Sequence, residues 1–276
     1  MANGNGFPPR ALLLTVLGAY VRRLDEWISI AGLIRLMDEL GVDEQSVRSA
    51  VSRFKRRGIV VPERRGGAAG YRMSESGHRL LEEGDARIYG RPRAALLDDG
   101  WVLAVFSVPD SKRADRHALR SLLAWLGYGN LSSAVWIAPW HVEAETREAL
   151  VRRGLAGYVQ MFRAHYEAFG TPADLVAQSW DLAELRARYV AFQRAAAPMA
   201  RRWRSQTPGG RDAFVDHVLV LSEWRPLPFL DAGLPVEALP RDWPGPRAWE
   251  TFHGLVERLE GPAFDYVREA IGDAAK

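Results

Sequence analysis

Apolar residues recur at helical spacing near the start of the chain, at Leu13, Val16, Leu17, Tyr20 and Leu24, and predict a first helix. Ser29 is positioned to cap a second helix, with Leu33, Ile34, Met37 and Leu40 on its core face and Gly41 as its stop. Asp43 or Glu44 opens a third, which buries Val47, Ala50, Val51 and Phe54 and ends at Gly58. Residues 59–62 and 71–73 then predict two short strands. The link between them, 63–70, is rich in small residues and long for a tight hairpin. Residues 76–83 predict a short closing helix. Residues 1–9 are small, polar and proline-rich, a composition that frays.

The pattern is interrupted at 84–92 by Gly, Arg and Pro. Beyond it, 101–108 is β-branched and aromatic and predicts a strand, 116–126 a helix, 135–138 a buried strand, 142–153 a helix and 158–163 a third strand. That alternation predicts a small α+β sheet with helices on one face. From 172 onward the period is helical, over 173–196, 212–224 and 246–271. The stretch 225–246 carries six prolines and reads as an ordered connection. The expected fold class is α+β multidomain. Residues 1–85 form a winged helix-turn-helix, 86–172 a central α+β domain suited to dimerisation, and 173–276 a C-terminal helical domain.

Three helices followed by a hairpin outline a winged helix, and the third helix tests the reading. Advancing about 100° per residue from Val47, the apolar side chains cluster on one side. Gln45, Ser49, Ser52 and Arg56 fall opposite, flanked by Arg48 and Arg53. Amide, hydroxyl and guanidinium groups are those that meet base edges and phosphates in a major groove. The only carboxylates on the helix lie in its first turn, where the macrodipole favours them. Arg64, Arg65 and Arg72 extend the basic surface onto the wing. Residues 43–72 hold eight basic residues against three acidic ones, in a chain whose net charge is only +3. A basic helix is also commonly just a solvated face, and winged helices also bind proteins, so charge alone leaves both alternatives open.

Specific motifs narrow the choice. Pro9-Arg-Ala-Leu-Leu-Leu-Thr-Val-Leu-Gly18 and Val47-Arg-Ser-Ala-Val-Ser-Arg53 followed by Gly58 resemble the opening of the PaaX-type repressors of phenylacetate catabolism. Leu126-Gly-Tyr-Gly-Asn-Leu131, leading to Val135-Trp-Ile-Ala-Pro139, resembles the central motif of that family. Leu234-Pro-Val-Glu-Ala-Leu-Pro-Arg-Asp-Trp-Pro-Gly245 resembles its C-terminal signature. The resemblance implies a homodimeric, cytoplasmic transcriptional regulator that binds double-stranded operator DNA. It implies a winged helix, a ferredoxin-like central domain and a helical C-terminal domain. It also implies an aryl-acyl-CoA effector such as phenylacetyl-CoA.

The remaining composition mostly excludes. The chain has 276 residues, 47% hydrophobic and 26% charged, which rules out global disorder. It has no cysteine, which excludes disulfides, iron–sulfur clusters and a cysteine nucleophile. The six histidines show no metal-ligand spacing, and no P-loop or nucleophile elbow occurs. No catalytic residue, metal or other cofactor is therefore expected. The apolar run 11–20 reads as a buried helix of a cytoplasmic protein, and no stretch approaches the ~20 residues of a membrane span. A nucleic-acid-processing enzyme built on the central domain and an effector-free DNA-binding scaffold remain the rival readings.

A CoA thioester requires cations for its phosphates and an aromatic or apolar slot for its acyl group. Arg201, Arg202, Trp203 and Arg204 combine the two and form the candidate ligand site. Trp136, Trp140, Trp224, Arg225, Arg241 and Trp243 are further candidates. Nine of the ten tryptophans lie after residue 100.

Overall fold

The computed structural model describes residues 6–91, 94–167 and 169–273. Along the chain run α1 (Pro9–Ala19), β1 (Trp27–Ser29), α2 (Ile30–Glu39), α3 (Glu44–Arg56), β2 (Val60–Arg65), β3 (Ala68–Met73) and α4 (Glu75–Tyr89). Then come β4 (Trp101–Phe106), α5 (Arg113–Trp125), β5 (Gly129–Ser132), β6 (Val135–Pro139), α6 (Glu143–Arg152) and β7 (Val159–Ala164). Last are α7 (Pro172–Ser179), α8 (Leu182–Ser205), α9 (Gly210–Trp224), α10 (Leu227–Leu230) and α11 (Gly245–Asp273). Of the two segments expected to be irregular, residues 1–5 and Pro92 lie outside the described residues. Pro9 already opens α1, where its fixed φ and missing N–H cost nothing. Gly84 does not break the chain either, because α4 runs through it to Tyr89.

These elements form two compact units. One gathers the N-terminal segment through Gly90 with Phe192–Arg225 and the stretch from Glu250 onward. The other holds Arg91–Ala191 and Pro226–Trp249. The packing units thus do not follow the chain-order division into 1–85, 86–172 and 173–276.

In the first unit, α1–α3 pack around Leu12, Leu13, Val16, Leu33, Leu36, Met37, Val47 and Val51, all buried. Ser29 Oγ caps α2 by accepting from Gly32 N at 3.0 Å, and Asp43 caps α3 by accepting from Ser46 N at 2.9 Å. β1, β3 and β2, in that spatial order, form an antiparallel sheet. The link 63–70 is not irregular. β2 and β3 pair along all six residues, and only Gly66 and Gly67 turn. Both glycines have positive φ, 56° and 84°, which is what a tight two-residue hairpin demands.

C-terminal helices complete this unit. α9 packs on α1, with Thr15 Oγ1 and Ser222 Oγ bonded at 3.0 Å and Tyr20 Oη 2.6 Å from His217 Nδ1. Burial pushes the His217 imidazole down to about 3. The folded state thus binds fewer protons than the unfolded state between about pH 3 and the ordinary histidine value near 6.5. Stability should therefore fall as pH drops through that window, by up to about 1.4 kcal/mol per unit from this residue. Thermal melts of wild type and His217→Gln at pH 7 and pH 4 check it: the wild type should show the larger acid loss.

In the second unit, the strand order β5-β6-β4-β7 is antiparallel throughout, and the element order is β-α-β-β-α-β. Successive β4 residues face opposite sides. Val102, Ala104 and Phe106 meet Leu119, Leu122 and Leu123 of α5 and Leu150 of α6. Trp101 meets Leu175 and Val176 of α7 and Leu234. The sheet is thus covered on both faces, not on one as the strand–helix alternation predicts. The expected helix over 173–196 is interrupted at Trp180 and Asp181. Trp180 seats against the central glycines: its Nε1 donates to the Gly127 carbonyl at 2.9 Å, and a Cβ on Gly129 would come within 2.6 Å of its ring. Gly127-Tyr-Gly129 therefore comprises a turn and the first residue of β5.

Candidate nucleic-acid interface

The third helix divides as its sequence predicts. Val47, Ala50, Val51 and Phe54 are buried, whereas Gln45, Arg48, Ser49, Ser52, Arg53 and Arg56 are all exposed. One of these groups already has a partner. Arg48 Nε donates to Glu44 Oε1 at 2.7 Å, one turn earlier on an exposed surface. With both side chains 57% exposed, this pair along one helix is weak in water and yields readily to a phosphate or a base edge.

The wing stands beside this helix. A cleft of about 280 Å³ between them is lined by Arg48, Pro62, Glu63, Arg64, Ala69 and Tyr71, among others. Arg64 donates to the Gly67 carbonyl at 2.7 Å across the turn. Arg65 and Arg72 do not line the cleft. Both donate through Nε to Glu63, at 2.5 and 2.9 Å. The sequence reading groups Arg64 with Arg65 because it takes the link 63–70 as too long for a tight hairpin. Once the strands continue to the turn, a period of two sends neighbours to opposite faces. The Gly66-Gly67 pair was the signal that could have shown it. Trp27 was also missed, since a three-residue strand leaves no readable period, and so were Ile30 of α2 and Tyr71 of β3, which only tertiary packing brings to the cleft.

The candidate ligand residues separate. Arg201 and Arg204 are exposed at the end of α8. Trp203 is 3% exposed and donates through Nε1 to Asp216 Oδ2 at 2.7 Å. Arg202 pairs with the same carboxylate, and its guanidinium lies 4.1 Å from the Trp203 ring centre. Burial raises the Asp216 carboxyl, against the lowering effect of these two partners. Trp203 thus faces inward and offers no slot for an acyl group in this structure. Trp224 is likewise enclosed in the core and Trp136 is buried, whereas Trp140 is half-buried under Arg163 at 4.8 Å. Arg225 and Trp243 are half-buried and Arg241 is exposed. Among the described residues no group of three or more His, Asp or Glu side chains could hold a metal ion. No helix among them is long and apolar enough to cross a membrane.

Comparison with known proteins gives matches along most of the chain. Residues 8–77 match the family described as PaaX-like protein, 94–176 the PaaX protein central Cas2-like domain, and 180–269 the PaaX-like protein C-terminal domain. The chain is 28% identical over 250 residues to the transcriptional repressor PaaX of Escherichia coli (strain K12). That match covers 88% of this chain and 77% of the relative. The uncharacterized protein Rv0674 from Mycobacterium tuberculosis has a similar fold, with a TM-score of 0.56 at 24% identity over 92% of this chain and 97% of its own. With all three family segments present in order, and a relative aligned across most of its length, this chain is a member of the PaaX family.

Proposed function

We propose that this protein is a transcriptional repressor that binds double-stranded operator DNA as a homodimer and is released by an aryl-acyl-CoA thioester. The observation that carries the DNA reading is the exposed face of α3. It presents Gln45, Arg48, Ser49, Ser52, Arg53 and Arg56, with no carboxylate beyond its first turn. The name of the Escherichia coli relative supports the repressor role. Helices α1–α3 followed by the β2–β3 hairpin support a winged helix. The strand order of the second unit supports a ferredoxin-like central domain. A dimer reads a pseudo-palindrome with half-sites about one helical turn apart, ~10 bp.

Arg48→Ala tests the site. Without a bidentate guanidinium bond to guanine, operator affinity should fall by ~1–3 kcal/mol and the preference at one base pair should relax. The measurement is anisotropy on a duplex set selected from random sequence, with each position varied in turn. Unchanged affinity and preference would refute the role of Arg48.

The effector reading rests on family membership and on the exposed Arg201 and Arg204, whose guanidiniums suit phosphates. Phenylacetyl-CoA should weaken operator binding roughly 5–150-fold, the range of a typical coupling of ~1–3 kcal/mol, and operator should weaken the thioester equally. Titrations of aryl- and alkyl-CoA thioesters with and without operator check this. Equal thioester affinity in an Arg201→Ala/Arg204→Ala variant would move the site elsewhere.

A further inference from the structure

The wing sorts its arginines by face. Pro62 lies opposite Tyr71 and Arg64 opposite Ala69, and these four line the cleft with Arg48. Val61 lies opposite Arg72, Glu63 opposite Gly70 and Arg65 opposite Ala68, alternating with these along the strands; Glu63 and Gly70 also line the cleft, whereas Arg65 and Arg72 do not. Glu63 spends one carboxylate oxygen on Arg65 Nε and the other on Arg72 Nε. Arg65 is pinned further: a terminal nitrogen donates to the Asp25 carbonyl at 3.3 Å, and its guanidinium sits 5.5 Å from the Trp27 ring centre. Arg72 also donates to the Met73 carbonyl at 3.0 Å. Trp27 is itself fixed. Its Nε1 donates to the Glu63 carbonyl at 3.2 Å, and it lies so close on Gly70 that a Cβ there would meet its ring at 2.6 Å. The guanidinium of Arg65 holds the Glu63 carboxyl below its ordinary value, with Arg72 adding to the effect, so the clamp is ionised at neutral pH.

We propose that Glu63 withholds Arg65 and Arg72 from DNA phosphates, leaving Arg64 as the wing arginine that contacts the backbone, and so sharpens discrimination between operator and other DNA. The proposal rests on the DNA-binding reading above. Sequence-independent affinity is almost wholly electrostatic and grows with each phosphate neutralised. Base contacts from α3 carry the sequence preference. A carboxylate that occupies two guanidiniums on the wing therefore subtracts from the first term and leaves the second intact.

The experiment uses the full chain and a random-sequence duplex, with affinity measured as a function of salt. Glu63→Gln should bind this duplex several-fold more tightly, and the slope of log K against log[salt] should steepen by up to about 1.8, about 0.9 for each arginine released. Arg64→Ala should flatten the wild-type slope by about 0.9, whereas Arg65→Ala should leave it unchanged. The triple variant Glu63→Gln/Arg65→Ala/Arg72→Ala should return to wild-type behaviour. A wild-type slope for folded Glu63→Gln would overturn the proposal. A triple variant that keeps the raised affinity would also do so, since bulk charge and not arginine release would then be the cause. If melts show Glu63→Gln unfolded, the arginine pair decides: equal weakening in Arg64→Ala and Arg65→Ala overturns the proposal, and weakening confined to Arg64→Ala upholds it. A wild type without salt-dependent binding to any duplex brings down the DNA-binding reading itself, a result distinct from wild-type binding that Glu63→Gln fails to alter.

Discussion

Trp224→Ala should be among the most damaging single substitutions in the first unit, costing about 3–5 kcal/mol. The side chain is 1% exposed. It stacks on Phe252 with centroids 4.7 Å apart and an interplanar angle of 13°, and meets the edge of Phe192 at 5.3 Å. Its Nε1 donates to the Ile88 carbonyl at 2.9 Å. Truncation removes the apolar packing, leaves a cavity among three helices and takes a donor from the part-buried Ile88 carbonyl, and these penalties add. At about 2–4 °C per kcal/mol, the melting temperature should fall by roughly 6–20 °C. Trp224→Phe keeps the stack and removes only the hydrogen bond, so it should lie well above the alanine variant. A destabilisation below ~1 kcal/mol in circular-dichroism melts of Trp224→Ala would contradict this packing.

Tyr20→Ala should cost a similar ~3–5 kcal/mol, and its effect should reach distant sequence. Tyr20 is fully buried at the end of α1, tilted against Phe214 at 5.5 Å, with its hydroxyl on His217. The other imidazole nitrogen, Nε2, has no hydrogen-bond partner among the described residues. Removing the phenol thus leaves a buried ring with both nitrogens unsatisfied. Tyr20→Phe isolates that penalty at about 1–3 kcal/mol. Because α9 lies on α1, hydrogen exchange in Tyr20→Ala should accelerate in peptides from Gly210–Trp224 as well as in Pro9–Ala19. Acceleration confined to α1 would mean that the N- and C-terminal segments do not fold as one cooperative unit.

The reading surface of α3 was largely legible in advance because it depends on one helix. Thirteen residues at a 3.6 period settle which side is apolar, and a cap such as Asp43 acts three residues away. Wing faces were less legible. They hinge on where a two-residue turn sits, and a slip of one residue exchanges every side chain between faces. β1 and β5 were missed for a related reason: three- and four-residue strands are stabilised by their neighbours in the sheet and carry too few residues for a pattern of their own.

By itself the sequence determined the helices and their apolar faces, the absence of thiol chemistry and the motifs of the family. These follow from side-chain identity and from interactions spanning a few residues. Only the tertiary structure decided that α9 closes over α1 and that Trp203 turns inward to Asp216. It likewise decided that Glu63 takes Arg65 and Arg72 while Arg64 lines the cleft. The bond from Tyr20 to His217 joins residues 197 apart. No local period encodes such a pairing. It forms because each partner loses water on burial, and the folded chain supplies a group near enough to replace it.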